Sequence, residues 1–319
     1  MNVSVPSALA GERIDRVVAL LTGNTRAEAS DLIAAAKVKI DGVVATKGSV
    51  RVAEGSVIDV TIDAPAAREV LAADPTVDVV VVHEDADLIV VDKPAGLIVH
   101  PGAGNRTGTL VQGLLARYPE IALIGDPARP GIVHRIDKDT SGLLAVARSE
   151  LGYFHLSAQI AAHSVMRRYL ALVWGHLDAP RGMIDAPIGR SARTPTRMAV
   201  SARGREARTT YEVVDSYDDP AAVSLLACTL DTGRTHQIRV HLQTIGHPVV
   251  GDRRYGGHRE PFTDLRRFFL HAEHLELDHP ATGERVSFDS PLAPELARLI
   301  SQLRATASRH APSPPRPPA

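Results

Sequence analysis

The chain has 319 residues, of which 44% are hydrophobic and 23% charged; two domains are the natural expectation, and there is ample material for a core. A formal net charge of −1 carries no global mark of a polyanionic partner, so any nucleic-acid binding has to come from a local basic surface. The single cysteine, Cys228, excludes an intrachain disulfide and cysteine-rich zinc motifs, and an aromatic content of 4% argues against binding strands mainly by stacking platforms.

The N-terminus, MNVSVPSALAGERID, lacks the charged segment and apolar run of a secretion signal. No stretch reaches the roughly 18 uninterrupted apolar residues of a membrane span. The expectation is a soluble, cytoplasmic protein without a membrane partner.

From about Glu12 to Ile62 the chain reads as a small unit, with residues 1–62 taken as its extent. Ile14, Val17, Val18 and Leu21 fall on one helical face, and residues 27–36 read as a second helix. VKIDGVV alternates around Asp41-Gly42, a hairpin turn pair, and VAEGSVIDVTI turns at Gly55 into a closing strand. Two helices and a small hairpin sheet in this span resemble an S4-type RNA-binding module. Thr25-Arg26, Ile33 and Val38 to Gly42 carry the resemblance, with Ala36 where the pattern has glycine. Seven basic residues (Arg13, Arg16, Arg26, Lys37, Lys39, Lys47, Arg51) meet seven acids (Glu12, Asp15, Glu28, Asp31, Asp41, Glu54, Asp59), so weak phosphate binding is expected of it.

Residues 63–77 are rich in Ala and Pro without periodicity and read as a linker. Residues 306–319, ending APSPPRPPA, lack core-forming side chains and are expected to be disordered. Between them, residues 78–305 read as the catalytic domain. Strands are expected at Val79–Val82, Leu88–Val91, Leu143–Ala147, Tyr169–Val173, Ala207–Val214 and Ala222–Leu230. Helices are expected at Gly108–Arg117, Ser149–His163, His236–Ile245 and Pro294–Leu303. Adjacent strands without intervening helices point to an α+β fold with a mixed, largely antiparallel sheet.

The segment Gly131 to Leu144, GIVHRIDKDTSGLL, puts five ionisable side chains in six positions between apolar flanks. Charges at a core's edge are costly unless paired, and a plain turn does not need them, although Asp139-Thr140-Ser141-Gly142 supplies turn chemistry. His134-Arg135-Ile136-Asp137-Lys138-Asp139-Thr140-Ser141-Gly142 resembles the central motif of the RluA/RluD-type RNA pseudouridine synthases. The resemblance implies that Asp137 is the catalytic aspartate, with Ile136 replacing the usual leucine at nearly constant volume. Asp92 to Gly102, DKPAGLIVHPG, is similar to the family's preceding segment. Ala103-Gly104-Asn105 and Gly108-Thr109-Leu110 are similar to the branch acting on large-subunit ribosomal RNA, whose order of S4 module, linker and catalytic domain is also found here.

Two further segments extend the resemblance. Val165 to Val173, VMRRYLALV, is similar to a family strand whose tyrosine stacks on the target base, which implies that role for Tyr169; Arg167 stands at the family's lysine position and changes the donor geometry. In Leu230 to Leu242, LDTGRTHQIRVHL, Thr235 is expected to cap a helix with Ile238, Leu242 and Ile245 on its apolar side. Arg239 shares a stripe with Thr235 and Gln243, and the resemblance pairs it with Asp137. His134 and Arg135 are implied to organise the loop and the flipped nucleotide, with Arg167, Arg234 and His236 as further substrate-binding side chains.

Isomerisation of uridine breaks the N1 glycosidic bond, turns the uracil and rejoins it through C5. A carboxylate can attack C1′ or C6, or remove a proton at C2′, and the sequence leaves all three open. Each requires an ionised acid, which a neighbouring arginine favours. No metal or other cofactor is called for, and RNA is the expected partner with no obligatory protein. The target base has to leave its stack and be received by an aromatic ring. Nine arginines between Arg167 and Arg208 against three acids (Asp178, Asp185, Glu206) are expected to form a basic strip for the RNA backbone.

Two rival readings compete with this one. His100, His134, His236 and His241 with Asp137 and Asp139 could make a metal site for phosphodiester hydrolysis, but His236 and His241 are five apart and off one helical face. A non-catalytic RNA-binding protein would be marked by loss of Asp137, which is present.

Overall fold

A computed structural model describes residues 2–6, 9–22, 26–61, 71–102, 104–257 and 260–310. Two compact units emerge, Met1–Glu69 and Val70–Ala319. Thr25, most of the expected linker and the tail beyond 310 lie outside the described residues. Residues 71–77 form no helix or strand.

In the first unit α1 (Ile14–Thr22) and α2 (Arg26–Ala34) accompany an antiparallel sheet of β1 (Asn2–Ser4), β2 (Val38–Ile40), β3 (Val43–Val44) and β4 (Val57–Val60), ordered β1-β4-β2-β3. Ile14, Val17, Val18, Ile33, Val38, Ile58 and Val60 make its core. Asp41 and Gly42 both have positive φ, +49° and +80°, as a two-residue hairpin turn requires. The chain leaves α2 with the Lys37 N–H on the Leu32 carbonyl and Ala36 at φ +58°. This helix stop favours glycine, so Ala36 accepts the strain that the glycine of the S4 pattern avoids.

The second unit is built on nine strands: β5 (Val81–Glu84), β6 (Leu88–Lys93), β7 (Ser141–Ala147), β8 (Met166–Trp174), β9 (Arg181–Asp185), β12 (Arg208–Tyr217), β13 (Val223–Leu230), β14 (Leu270–Asp278) and β15 (Arg285–Asp289). Their order is β5-β6-β7-β14-β8-β13-β12-β9, with β15 beside β14. Only β7 and β14 pair in parallel, so the sheet is mixed and largely antiparallel, in an α+β fold. A separate two-stranded hairpin joins β10 (Ile188–Arg190) to β11 (Met198–Val200). Helices α3 (Leu110–Arg117), α4 (Glu150–Ala161), α5 (Gln237–Thr244) and α6 (Pro294–His310) accompany the sheet.

Every residue of β7 is buried, as are Leu88, Ile89, Val90 and Val91 of β6; continuous apolar runs are what a strand covered on both faces needs. Several expectations are corrected. β9, β10, β11, β14 and β15 were not foreseen, and α6 runs past Leu303 to His310, where disorder was expected. Its apolar face ends at Leu303, so helix-forming residues such as Arg304 and Ala305 carry it further. Ser141 and Gly142 belong to β7 and not to a turn. Gly142 has φ +110°, and a Cβ there would lie 2.2 Å from the Ala272 oxygen, so the parallel pairing admits only glycine.

Candidate active site

The sheet gathers the expected residues from separate segments. Asp137 lies in the loop entering β7, Tyr169 is on β8, one strand beyond β14, and Arg239 is in the first turn of α5, which follows β13. Arg239 Nη1 donates to Asp137 Oδ2 at 2.8 Å. Its Nε and Nη2 donate to Asp252 at 2.7 and 3.0 Å. The guanidinium lies 4.1 Å from the Phe268 ring centroid and 5.1 Å from that of Tyr255. Burial alone would lower its pKa, but the hydrogen bond to Asp252 and the Asp137 charge outweigh it, so the pKa is raised.

The loop is pinned from beneath. The fully buried Lys93 donates from Nζ to the carbonyls of Pro94, Leu97 and Lys138. Arg267 donates to the Asp139 carbonyl and to Ser141 Oγ, while Glu295 of α6 holds its other side. Burial pulls the Lys93 pKa down to about 7, yet three carbonyl acceptors suit the three N–H donors of an ammonium, so we take it as charged. The backbone on the C-terminal side of Asp137 is thereby fixed without any contact to its carboxylate.

The local geometry of α5 differs from expectation. Its N-cap is His236, at φ +58°, and Thr235 does not cap it. Gln237 organises the turn instead, accepting from Thr232 Oγ1 and the Arg234 N–H and donating to the Arg208 carbonyl and Thr209 Oγ1. Ile238 and Leu242 are buried, but Ile245 is 38% exposed. His236 Nδ1 lies 2.8 Å from the Tyr255 hydroxyl; burial lowers its pKa despite the nearby Asp137 charge, keeping the ring neutral near pH 7.

Three cavities meet at this centre. A small one of about 50 Å³ has Tyr169, Leu230, Ile238 and Leu270 as apolar lining and Asp137, Thr140, Arg167 and Arg239 as polar lining. Burial raises the Tyr169 pKa, so its hydroxyl stays protonated. A cleft of about 660 Å³ carries Arg135, Lys138, Arg253, Arg254 and Arg266 beside Asp137. A groove of about 420 Å³ carries Arg129, Arg205 and Arg234. Arg135 lines all three.

His134 is half-buried and accepts the Ala145 N–H on Nε2; burial and the Arg167 charge push its pKa down to about 3. It thus ties the loop to β7 and reaches the groove, not the small cavity. Its Nδ1, Thr140 Oγ1 and Arg167 Nε are buried without a hydrogen-bond partner among the described residues. All three residues line these cavities, where a polar ligand would satisfy such groups.

Three of the nine arginines expected to form a basic strip between Arg167 and Arg208 are paired with acids, while Arg190, Arg193, Arg197, Arg203 and Arg205 have no carboxylate partner among the described residues. Arg168 pairs with Glu273, Arg181 with Glu212, and Arg208 with Asp185, Glu206 and Asp231. Beside Asp137, Arg135, Lys138, Arg253, Arg254 and Arg266 likewise pair with no carboxylate among the described residues, and all are exposed. Of these, Arg253, Arg254 and Arg266 were missed, as was Asp252; R-R and D-R-R-Y-G in an irregular stretch read as ordinary surface.

The four histidines of the metal reading have separate partners: His100 its neighbour Pro101, His134 Ala145, His236 Tyr255, and His241 Thr209 and Ala186. Elsewhere, the Nε2 atoms of His83 and His279 converge on Asp85 Oδ2, at 2.6 and 2.9 Å. His279 Nδ1 accepts the N–H groups of Ala281 and Thr282, so its proton sits on Nε2. A metal-bound histidine has the opposite arrangement, and this set is a hydrogen-bonded clip.

Comparison with known proteins agrees with the geometry. A family model described as RNA pseudouridylate synthase matches residues 87–244, and one for the S4 domain matches residues 12–58. An uncharacterized RNA pseudouridine synthase of Chloroflexus aurantiacus is 46% identical, over 97% of this chain and 95% of that protein. The ribosomal large subunit pseudouridine synthase D of Nitrosomonas europaea is 42% identical, over 95% of this chain and 88% of that one. The solved structure of human RNA Pseudouridylate Synthase Domain Containing 1 has a TM-score of 0.56 at 28% identity, covering 75% of this chain and 98% of its own. Relatives aligned over nearly their whole length leave one conclusion: this chain belongs to the RNA pseudouridine synthase family, isomerases that act on uridines in RNA.

Proposed function

We propose that this enzyme converts uridines of large-subunit ribosomal RNA to pseudouridine, with Asp137 as the catalytic carboxylate and Arg239 as its partner. The observation that carries the reading is the 2.8 Å pair between them, set beside Tyr169 at the head of a cleft lined by unpaired cations. Tyr169 receives the flipped base. Arg135, Arg167, Arg234 and His236 contact the substrate, and His134 holds the loop from behind. The names of the relatives from Nitrosomonas europaea and Pseudomonas aeruginosa, both ribosomal large subunit pseudouridine synthases D, support the choice of RNA.

The three chemical routes share one demand, an ionised carboxylate with a lone pair toward the nucleotide. Among the described residues Asp137 takes one side-chain hydrogen bond, on Oδ2, which leaves Oδ1 to attack C1′ or C6 or to remove the C2′ proton. The released uracil has to turn without escaping. Tyr169 and its apolar neighbours offer it a face, and the unpartnered Thr140 and Arg167 atoms offer hydrogen bonds to its polar edge. The unpaired cations would neutralise phosphates flanking the nucleotide. The enzyme works in the cytoplasm without an obligatory protein partner; no helix among the described residues is long and apolar enough to cross a membrane.

The test is RNA from cells lacking the gene, complemented with wild type or Asp137→Ala, with pseudouridines mapped by carbodiimide modification and primer extension. Large-subunit sites that vanish and return only with wild type are expected. An unchanged ribosomal pattern overturns the substrate, and full restoration by Asp137→Ala overturns the catalytic residue.

A further inference from the structure

Arg239 presents its N–H donors as a planar fork, and a carboxylate meeting such a fork end-on is gripped by two of them. With Asp137 as the only acid in reach, the favoured pairing would engage both of its oxygens. The observed arrangement is different. Two arms of the fork, Nε and Nη2, go to Asp252, and only Nη1 reaches Asp137. Asp252 is 1% exposed, and its Oδ1 also accepts the N–H groups of Arg254 and Tyr255. A buried carboxylate held this way has little freedom, and neither has the arginine bound to it. Phe268 closes one face of the guanidinium.

We propose that Asp252 is a positioning residue for the reaction: it occupies two arms of Arg239, so that Asp137 receives one hydrogen bond and keeps its second oxygen for the nucleotide. Asp252 acts only through Arg239, and the inference rests on Asp137 and Arg239 being the catalytic pair. Its carboxylate also offsets the arginine's charge, so the centre holds two acids on one buried cation. Without Asp252 the fork would be free to swing and grip both oxygens of Asp137, trading a reactive group for a satisfied one.

Asp252→Asn keeps an oxygen for the backbone N–H groups but cannot accept from both Nε and Nη2. Steady-state kinetics on a target-RNA transcript should show kcat down by roughly 100-fold, the scale of a small misplacement at a reacting centre, with KM changed by less than about threefold. In an Arg239→Gln background the same substitution should cost less than about twofold, because coupled residues fail to add. Asp252→Glu keeps the charge and should recover part of the lost kcat. If Asp252→Asn does not fold, the same failure to add is required of Asp252→Glu, whose kcat should then be reduced in the wild-type background alone.

A kcat within twofold of wild type in Asp252→Asn overturns the inference. So does an equal loss in the Arg239→Gln background, which marks a general structural role, or a loss carried by KM. The underlying reading fails separately, by full activity of both Asp137→Ala and Arg239→Gln.

Discussion

Two clusters of three polar side chains can be compared directly. In one, Asp85 sits between His83 and His279; in the other, Arg239 sits between Asp137 and Asp252. Both join segments far apart in sequence, and both hold hydrogen bonds of normal length. In the clip, Asp85 Oδ1 accepts the N–H groups of Asp87 and Leu88 while Oδ2 takes both histidines, so the carboxylate is saturated. In the catalytic cluster one carboxylate is saturated, Asp252, and the other is left with an open oxygen. Convergence of ionisable groups is thus a poor mark of function; an unfinished hydrogen-bond inventory beside a cavity is a better one.

That contrast is sharpest where a residue's removal affects chemistry without affecting the fold. Asp137→Ala should lower kcat on the order of 10⁴-fold or more, with thermal melting nearly unchanged; a residual activity near wild type would put Asp137 in the same class as Asp85. Arg239→Gln should lower kcat by about 10²- to 10³-fold, the usual cost of one preorganised donor to a reacting charge. It should also destabilise the fold, since it leaves Asp252 buried and unpaired. A loss of stability with full turnover would reverse the assignment.

The clip predicts the opposite pattern. Burial would raise the Asp85 pKa, but hydrogen bonds from the Asp87 N–H, His279, His83 and the Leu88 N–H overcome it and hold the carboxyl well below its usual range. A carboxyl depressed on folding adds stability above its unfolded pKa, and that stability is lost as pH falls through that value toward the folded one. Asp85→Asn should therefore cost about 1–2 kcal/mol near pH 7, and its deficit against wild type should shrink below about pH 4. Denaturant melts at the two pH values measure this, with kcat unchanged. His83→Ala, which leaves His279 on the carboxylate, should cost less than about 1 kcal/mol. Lost turnover in either variant would mean the clip is not merely structural.

The catalytic pair was legible because its motif is local: charges packed between apolar residues at Val133, Ile136 and Leu143 announce a loop entering a core strand. Asp252 was not legible, since its partner Arg239 lies in a helix 13 residues earlier and no periodic pattern joins the irregular stretch around Asp252 to that helix. The strand β14 was missed for a specific reason. Its ladder with β8 shifts register between Ala272 and His274, so the inward apolar positions Leu270 and Ala272 fall out of phase with Leu275 and Leu277, and no single alternation runs through. β9 has one buried residue, Ile184, too little to show a period. The basic strip was legible only in part, because a count along the chain ignores which acids fold back: Glu212 and Glu273 neutralise two arginines that look free in sequence.

Ala272 has a consequence of its own. It pairs with Gly142 on β7 and with Tyr169 on β8, so it is the rung that joins the strand carrying the acid's loop to the aromatic residue itself. The distance between carboxylate and ring is thus metered in ladder spacings of about 4.8 Å, and the glycine of the motif lets this rung close fully. Enlarging either small residue would spread two reactive elements apart while touching neither, as a shim widens a gauge.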